Sequence, residues 1–329
     1  MRALPRALAI LAALPAAASA AADHDLDPEQ RALAEEVAER SELTAWDARD
    51  VLAAAEHDAE ALERLRAPAE ALPWHEYRAI LVTEERIRRG ATFASEHGEV
   101  LEAASAEYGI PASVLTAVLG VESRYGEHTG EHRVLDALAT LAFSDHRRAP
   151  FFRDELATFL VLSSEGHWDP ERLRGSYAGA FGKPQFIPSS FEAYAVDHTG
   201  DGSRDLVHSL GDALGSAANY LERHGWREGE PVAQQVSAEG DDWRAALSRT
   251  DAPVEPVRTA AELRELGVDV PAEVADRREV ALIELDGGDE AELWLTFNNF
   301  YVLTRYNHSA LYAMAVHQLA QAIEEARNR

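Results

Sequence analysis

From about Asp27 to Ser105, apolar residues recur at three- and four-residue spacing among Ala, Glu, Leu and Arg, a period that predicts helices throughout. Ser41-Glu42-Leu43-Thr44 and Pro73-Trp74 punctuate the run. The charged stretch Glu84-Glu85-Arg86-Ile87-Arg88-Arg89 reads as a solvated face. From Ala106 to Trp226 glycines, aromatics and short polar motifs crowd between helical segments, so chemistry is expected there. The period then shortens: Pro231, Val232 and Val236, and later Val280, Leu282 and Ile283, form strand-like runs separated by turns such as Asp286-Gly287-Gly288-Asp289. From Leu293 aromatics and Asn lead into a long periodic helix between about Ser309 and Ala326. The pattern predicts an α+β protein, mainly α, without internal repeats. Its expected parts are a leader (1–22), an N-terminal helical domain (23–105), a helical core (106–227), a small α+β module (228–292) and a segment returning to the core (293–329).

The leader has the secretory pattern: Arg2 and Arg6, the apolar run Ala7 to Leu14, then Ala18-Ser19-Ala20 at a cleavage-site spacing. It is shorter than the ~20 apolar residues a membrane helix needs, and no later stretch is long and apolar enough either. Export without a membrane anchor, into the periplasm, is expected. The 329 residues are 46% hydrophobic, which excludes a disordered acidic tail. With 58 acidic against 31 basic side chains and a net charge of -27, nucleic acid is excluded as a partner, because that affinity rests on Lys and Arg displacing counterions. The absence of cysteine excludes disulfides, thiolate metal sites, a Cys nucleophile and an acylated N-terminal Cys. Lys183 is the one lysine.

Pro111-Ala112-Ser113 is a good helix start. Leu115, Val118, Leu119 and Glu122 then share one face, which places a carboxyl on an inward-pointing stripe. Tyr125-Gly126 should end the helix, leaving Glu122 near its electronegative terminus. Burial and dipole both favour the protonated form, which suits a general acid in glycosidic cleavage. The alternative is a structural Glu122 paired with an Arg such as Arg124. Asp197, Thr199, Asp201, Ser203 (by its carbonyl) and Asp205 follow the ligand spacing of a calcium loop, with Gly202 at the sixth position. His208 stands where a bidentate Glu is expected, so a Ca2+ or Na+ site here would be weak or would recruit another acid such as Asp212. His128 and His132 lack the Glu of a zinc motif and are expected at the surface. No phosphate loop, dinucleotide fingerprint or nucleophile elbow is present.

Gly120-Val121-Glu122-Ser123-Arg124-Tyr125-Gly126 resembles the lytic murein transglycosylase B family. Leu135 to Leu141, Arg147-Arg148, Gly175 to Ala180, Gln185 to Ser190, Asn219-Tyr220 and Asn299 to Asn307 are similar to that family's motifs in its order, from roughly Pro73 to the C-terminus. The resemblance implies a lysozyme-like core that cleaves the β-1,4 bond between N-acetylmuramic acid and N-acetylglucosamine, leaving 1,6-anhydromuramoyl ends. It implies Glu122 as acid then base, and Ser176, Gln185, Tyr220, Tyr306, Asn307 and Tyr312 along the glycan groove. It also implies Tyr77 and Arg147-Arg148 near the substrate or its peptide, and a structural cation in the EF-hand-like loop. No catalytic cofactor is implied. Gly182-Lys183-Pro184 departs from the family, whose members often carry Tyr-Gly before the Gln, which weakens the assignment of Gln185. A hydrolytic muramidase on the same scaffold and a non-catalytic peptidoglycan-binding protein remain the rival readings. The expected partners are glycan strands and cell-wall synthesis machinery, the expected state is a monomer, and the groove is expected to be less acidic than the rest of the surface.

Overall fold

The computed structural model describes residues 26–66 and 72–329; the leader expected over residues 1–22 lies outside them. Six helices, α1 (Pro28–Arg40), α2 (Ala45–Ala53), α3 (Ala59–Arg66), α4 (Trp74–Leu81), α5 (Glu84–Glu96) and α6 (Gly98–Tyr108), lead into α7 (Ala112–Ser123). The two-residue strands β1 (His132–Arg133) and β2 (Arg174–Gly175) pair antiparallel around α8 (Val134–Ala142) and α9 (Ala149–Ser164), and α10 (Pro188–Tyr194) and α11 (Leu210–Arg223) follow. A four-stranded antiparallel sheet in the order β3-β6-β5-β4 comprises β3 (Ala233–Val236), β4 (Arg258–Thr259), β5 (Glu279–Asp286) and β6 (Ala291–Thr296), with α12 (Ala260–Glu265) inserted. The chain closes with α13 (Asn298–Tyr306) and α14 (Ala310–Arg327).

Helix starts carry the side-chain caps that replace missing intrahelical acceptors. Asp27 and Gln30 form a reciprocal box at α1, Thr44 and Asp47 another at α2, and Thr83, Ser209 and Ser309 cap α5, α11 and α14. Each such cap is worth ~1 kcal/mol. α7 is apolar on every side, with Val114 to Gly120 all buried. A helix of that kind has to be enclosed, and α5, α6, α11 and α14 enclose it.

The sheet is buried on both faces. Alternation along β5 and β6 sends Ala281, Ile283 and Trp294 into the main core and Val280, Leu282, Leu293 and Leu295 into a second core with Trp243, Leu263 and Phe297. Two expected boundaries therefore move. The one at residue 292 falls inside β6, because Leu293 and Leu295 complete the second core. The one at residue 105 falls inside α6, and Leu33, Val37 and Leu101 share the main core with Leu115 and Val118, so the N-terminal helices have no core of their own. Among the described residues no single helix is long and apolar enough to cross a membrane.

Candidate active site

α7 ends at Ser123, and the next two residues, Arg124 (φ 51°) and Tyr125 (φ 65°), both take the left-handed conformation that non-glycine residues avoid. The reversal is held by packing and hydrogen bonds. A side chain at Gly120 would meet the Tyr125 ring at 2.7 Å, so only glycine lets that ring lie against the helix. Tyr125 Oη donates to the Arg86 carbonyl at 2.6 Å, and Ser123 Oγ donates to the Lys183 carbonyl at 2.6 Å while accepting from the Gly126 amide. The end of α7 is thereby pinned to α5 on one side and to the 182–186 loop on the other.

Glu122, half-buried, stands on this pinned end. Its Oε1 accepts a hydrogen bond from Tyr312 Oη at 2.6 Å, from the first turn of α14. Burial pushes its carboxyl up to about 7, with the Tyr312 hydrogen bond pulling the other way. No acidic neighbour contributes to that shift among the described residues. Burial likewise raises the phenols of Tyr77, Tyr306 and Tyr312, and the Glu122 charge raises each further, which puts all three rings in its electrostatic reach. The expected alternative, an ion pair with Arg124, is not formed: Tyr312 takes the carboxyl, and the left-handed turn directs Arg124 into exposure.

Behind Glu122 the aromatics form a stack. The rings of Tyr312 and Tyr306 are nearly parallel (10°) with centroids 6.3 Å apart, and Tyr220 meets Tyr306 edge-on at 4.8 Å. Tyr306 Oη donates to the Pro184 carbonyl at 2.8 Å and Tyr220 Oη to the Arg305 carbonyl at 2.6 Å. Tyr220 is buried, so it supports Tyr306 from behind and does not line a sugar-binding surface, a correction to its expected place. Gln185 takes a left-handed φ of 53°, held by Nε2 hydrogen bonds to the carbonyls of Gly182 (2.9 Å) and Thr129 (3.0 Å). The unusual 182–185 segment thus makes a fixed turn that supplies both the Lys183 carbonyl to Ser123 and the Pro184 carbonyl to Tyr306.

The other expected residues make no described contact with Glu122. Ser176 Oγ accepts the amides of Ala178 and Ala180 and closes its own turn. Asn307 is exposed immediately after α13. Arg147 and Arg148 are exposed at the start of α9, where Arg148 lies 5.0 Å over both the Phe151 and Phe152 rings, and no described contact joins either to Glu122. His132 is not at the surface as expected: its Nδ1 bonds Asp58 Oδ2 at 2.6 Å in a half-buried pair, because β1 carries it under the α2–α3 connection. His128 is exposed. Ser123 and the carbonyl acceptors at Lys183 and Pro184 were missed by sequence reasoning, since their roles come from backbone placement that no residue type announces.

In the acidic loop, Asp197, Asp201 and Asp212 bring carboxylate oxygens within 4.8 Å of one another. That spacing spans a cation with oxygen ligands at 2.3–2.6 Å. Asp205 is not part of the trio; its Oδ1 accepts the Val207 and His208 amides instead. Asp212, fully buried at the start of α11, accepts the amides of His198, Thr199 and Asp205 with its two oxygens. Hydrogen bonds from the loop amides, Gly202 foremost, hold the Asp197 carboxyl below the usual range.

A glutamic acid poised near neutrality without a carboxylate partner sets this site apart from paired-carboxylate glycosidases, and the fold around it is that of the lysozyme-like lytic transglycosylases. The chain belongs to the Transglycosylase SLT domain family, which matches residues 25–321. It is 38% identical over 254 residues to the membrane-bound lytic murein transglycosylase B of Escherichia coli (strain K12), covering 77% of this chain and 68% of that protein. The structure is similar to soluble lytic transglycosylase SltB1 from Pseudomonas aeruginosa, with 40% identity and a TM-score of 0.86 over 92% of this chain and 100% of that one. It is also similar to the Escherichia coli lytic transglycosylase Slt35 in complex with calcium, with 34% identity and a TM-score of 0.84 over 93% of this chain and 96% of that one. The chain is a peptidoglycan lytic transglycosylase.

Proposed function

We propose that Glu122 carries out both proton transfers of the cleavage between N-acetylmuramic acid and N-acetylglucosamine. Protonated Glu122 donates its proton to the glycosidic oxygen as that bond breaks, and the muramic N-acetyl oxygen covers the positive anomeric carbon. The resulting carboxylate then takes the proton of the muramic C6 hydroxyl, whose oxygen attacks the anomeric carbon and closes the 1,6-anhydro ring. The proton returns to Glu122, and no water is consumed. The observation that carries this reading is a half-buried carboxyl held at about 7 by burial, bonded to one phenol and without an acidic neighbour among the described residues. A group with that affinity serves as acid and base in the same cycle at neutral pH. Tyr306 and Tyr77, both half-buried, offer ring faces to a sugar, while Tyr312, buried, serves through its hydrogen bond to Glu122.

The Asp197, Asp201 and Asp212 oxygens suit a hard divalent cation such as Ca2+, with a structural role. Lys183 joins that loop to the site: its amide donates to the Leu206 carbonyl and its ammonium to the Val207 carbonyl, while its own carbonyl accepts from Ser123 beside Glu122. A periplasmic location is supported by the pattern of the first twenty residues and by the substrate. The test is Glu122→Gln on purified sacculi, with the products read by mass spectrometry. The parent should release anhydro ends, one water lighter than reducing ends, and the variant none. Reducing ends alone would establish hydrolysis instead, and unchanged release by the variant would remove Glu122 from the chemistry.

A further inference from the structure

A cavity of about 190 Å³ is lined in part by Arg124 and Tyr125, the second and third residues after Glu122. Its lining includes Arg86, Arg89 and Arg124 with Ile80, against one acidic residue, Glu85. Three converging arginines are unexpected on a chain of net charge -27, where they would ordinarily be dispersed to pair with the acidic excess. Arg89 is paired with Glu127 and, at 3.9 Å, with Glu85. Arg86 has no carboxylate partner among the described residues: its Nη1 donates to the Ile80 and Leu81 carbonyls at the end of α4 (3.1 and 2.9 Å), which fixes the plane of the fork. Arg124 makes no ion pair among the described residues and is exposed. Two adjacent left-handed residues, Arg124 and Tyr125, aim it there. Such strain costs about 1–3 kcal/mol per residue and persists at sites that use it. Burial, with the Arg124 and Arg89 charges adding to it, holds the Arg86 guanidinium below its usual range despite the opposing influence of Tyr125. Ile80, 56% exposed, is one of three large apolar side chains left in solvent among the described residues, and it offers an aliphatic contact at the rim.

We propose that the Arg86–Arg89–Arg124 pocket binds a carboxylate of the peptide carried by the muramic acid, so that the enzyme reads the peptide from the α4–α5 corner while Glu122 acts on the sugar. Guanidinium forks match carboxylates bidentately. Arg124 follows Glu122 by two residues, and Ile80 lies one helical turn from Tyr77, whose phenol feels the Glu122 charge, so the pocket is close to the site. An extended peptide advances roughly 3.3–3.6 Å per residue, which brings its carboxylates within reach in a few residues. This proposal rests on the peptidoglycan reading, and its test is built on binding so that the two fail separately.

Glu122→Gln, which cannot turn the ligand over, is titrated calorimetrically with the N-acetylglucosaminyl-N-acetylmuramic acid disaccharide bearing its stem peptide, with the same disaccharide without peptide, and with the peptide's carboxylates amidated. Adding Arg124→Gln should weaken the peptide-bearing ligand roughly tenfold to a hundredfold and leave the peptide-free ligand unchanged. The amidated ligand should bind both proteins alike. Arg124→Lys should recover part of the loss, since it keeps the charge and gives up the fork. Equal affinities for the peptide-bearing ligand, or an equal loss for the peptide-free one, would overturn the proposal. Whether the parent enzyme forms anhydro ends is read separately and leaves this comparison intact.

Discussion

Tyr312→Phe isolates the one hydrogen bond that holds the Glu122 carboxylate. The phenol donates to Oε1 at 2.6 Å from a position only 2% exposed, so no water replaces it freely when the oxygen is removed. A hydrogen bond to a charged group is worth about 1.5–3 kcal/mol, which at 1.36 kcal/mol per pKa unit corresponds to roughly one to two units. The bond lowers the Glu122 pKa against the burial that raises it to about 7. Its removal therefore moves the carboxyl further up, to roughly 8–9. Cleavage begins with Glu122 protonated, so the alkaline limb of kcat/KM against pH reports this ionisation in the free enzyme. The variant's alkaline limb should lie one to two units higher than the parent's, with a lower maximum, because the less tightly held carboxylate is also less well aimed. The assay is release of anhydromuropeptides from sacculi across pH 5–10. An alkaline limb that stays in place or moves down would refute both the role of Glu122 as the acid and the role of the phenol as its partner.

Stability should carry two opposite titrations. Glu122 binds its proton more tightly folded than unfolded, which lowers stability by on the order of 3 kcal/mol as pH rises from about 4.5 to 7, so Glu122→Gln should gain on the parent in melting temperature across that window. His317, buried beside Trp294 and pushed down by burial to about 4, loses stability in the other direction, as pH falls from 6.5; Glu122→Gln should therefore expose a steeper acid-side decline than the parent shows, and a flat profile in the variant would refute the assignment. Adding calcium in excess should raise the parent's melting temperature by a few degrees, and Asp201→Asn should abolish the rise; a parent indifferent to calcium and chelator would reduce the loop to a turn. Gly120→Ala places a methyl group 2.7 Å from the Tyr125 ring and should cost about 1–3 kcal/mol in urea denaturation.

The parts of this molecule that were legible in sequence are those that residue type determines locally. The period of Leu115, Val118, Leu119 and Glu122 places the carboxyl on the buried face of α7, and Ser309 marks the start of α14. The strand-like run from Val280 to Ile283 shows a strand, but not the extent of the second core it enters, because Leu293 and Leu295 complete that core from beyond the expected boundary. Tyr220 illustrates the limit on side chains: a tyrosine at a motif position reads as a sugar platform, yet its neighbours Tyr306, Phe186 and Tyr194 enclose it. Whether such a ring faces the ligand or the core depends on which residues distant in sequence pack against it.

Charge shows the same dependence with a functional consequence. The expectation of a less acidic groove rested on Arg147 and Arg148, the one adjacent arginine pair in a recognised motif. In the structure that pair is exposed near Phe151, itself 38% exposed, without a described contact to the Glu122 cluster. The arginines that share a cavity next to the end of α7 are instead Arg86 and Arg89, from a run that reads as an ordinary solvated face, and Arg124, from the turn after the acid. Arg86 and Arg89 stand three residues apart on α5 and so share a face, but only the left-handed turn at Arg124 and Tyr125 makes that face a pocket wall. An anionic substrate approaching a chain of charge -27 meets net repulsion beyond a Debye length of about 8 Å at physiological salt only weakly, so local clusters decide where its carboxylates settle. Positive charge at the end of the catalytic helix therefore bears on substrate register more than the overall acidity does.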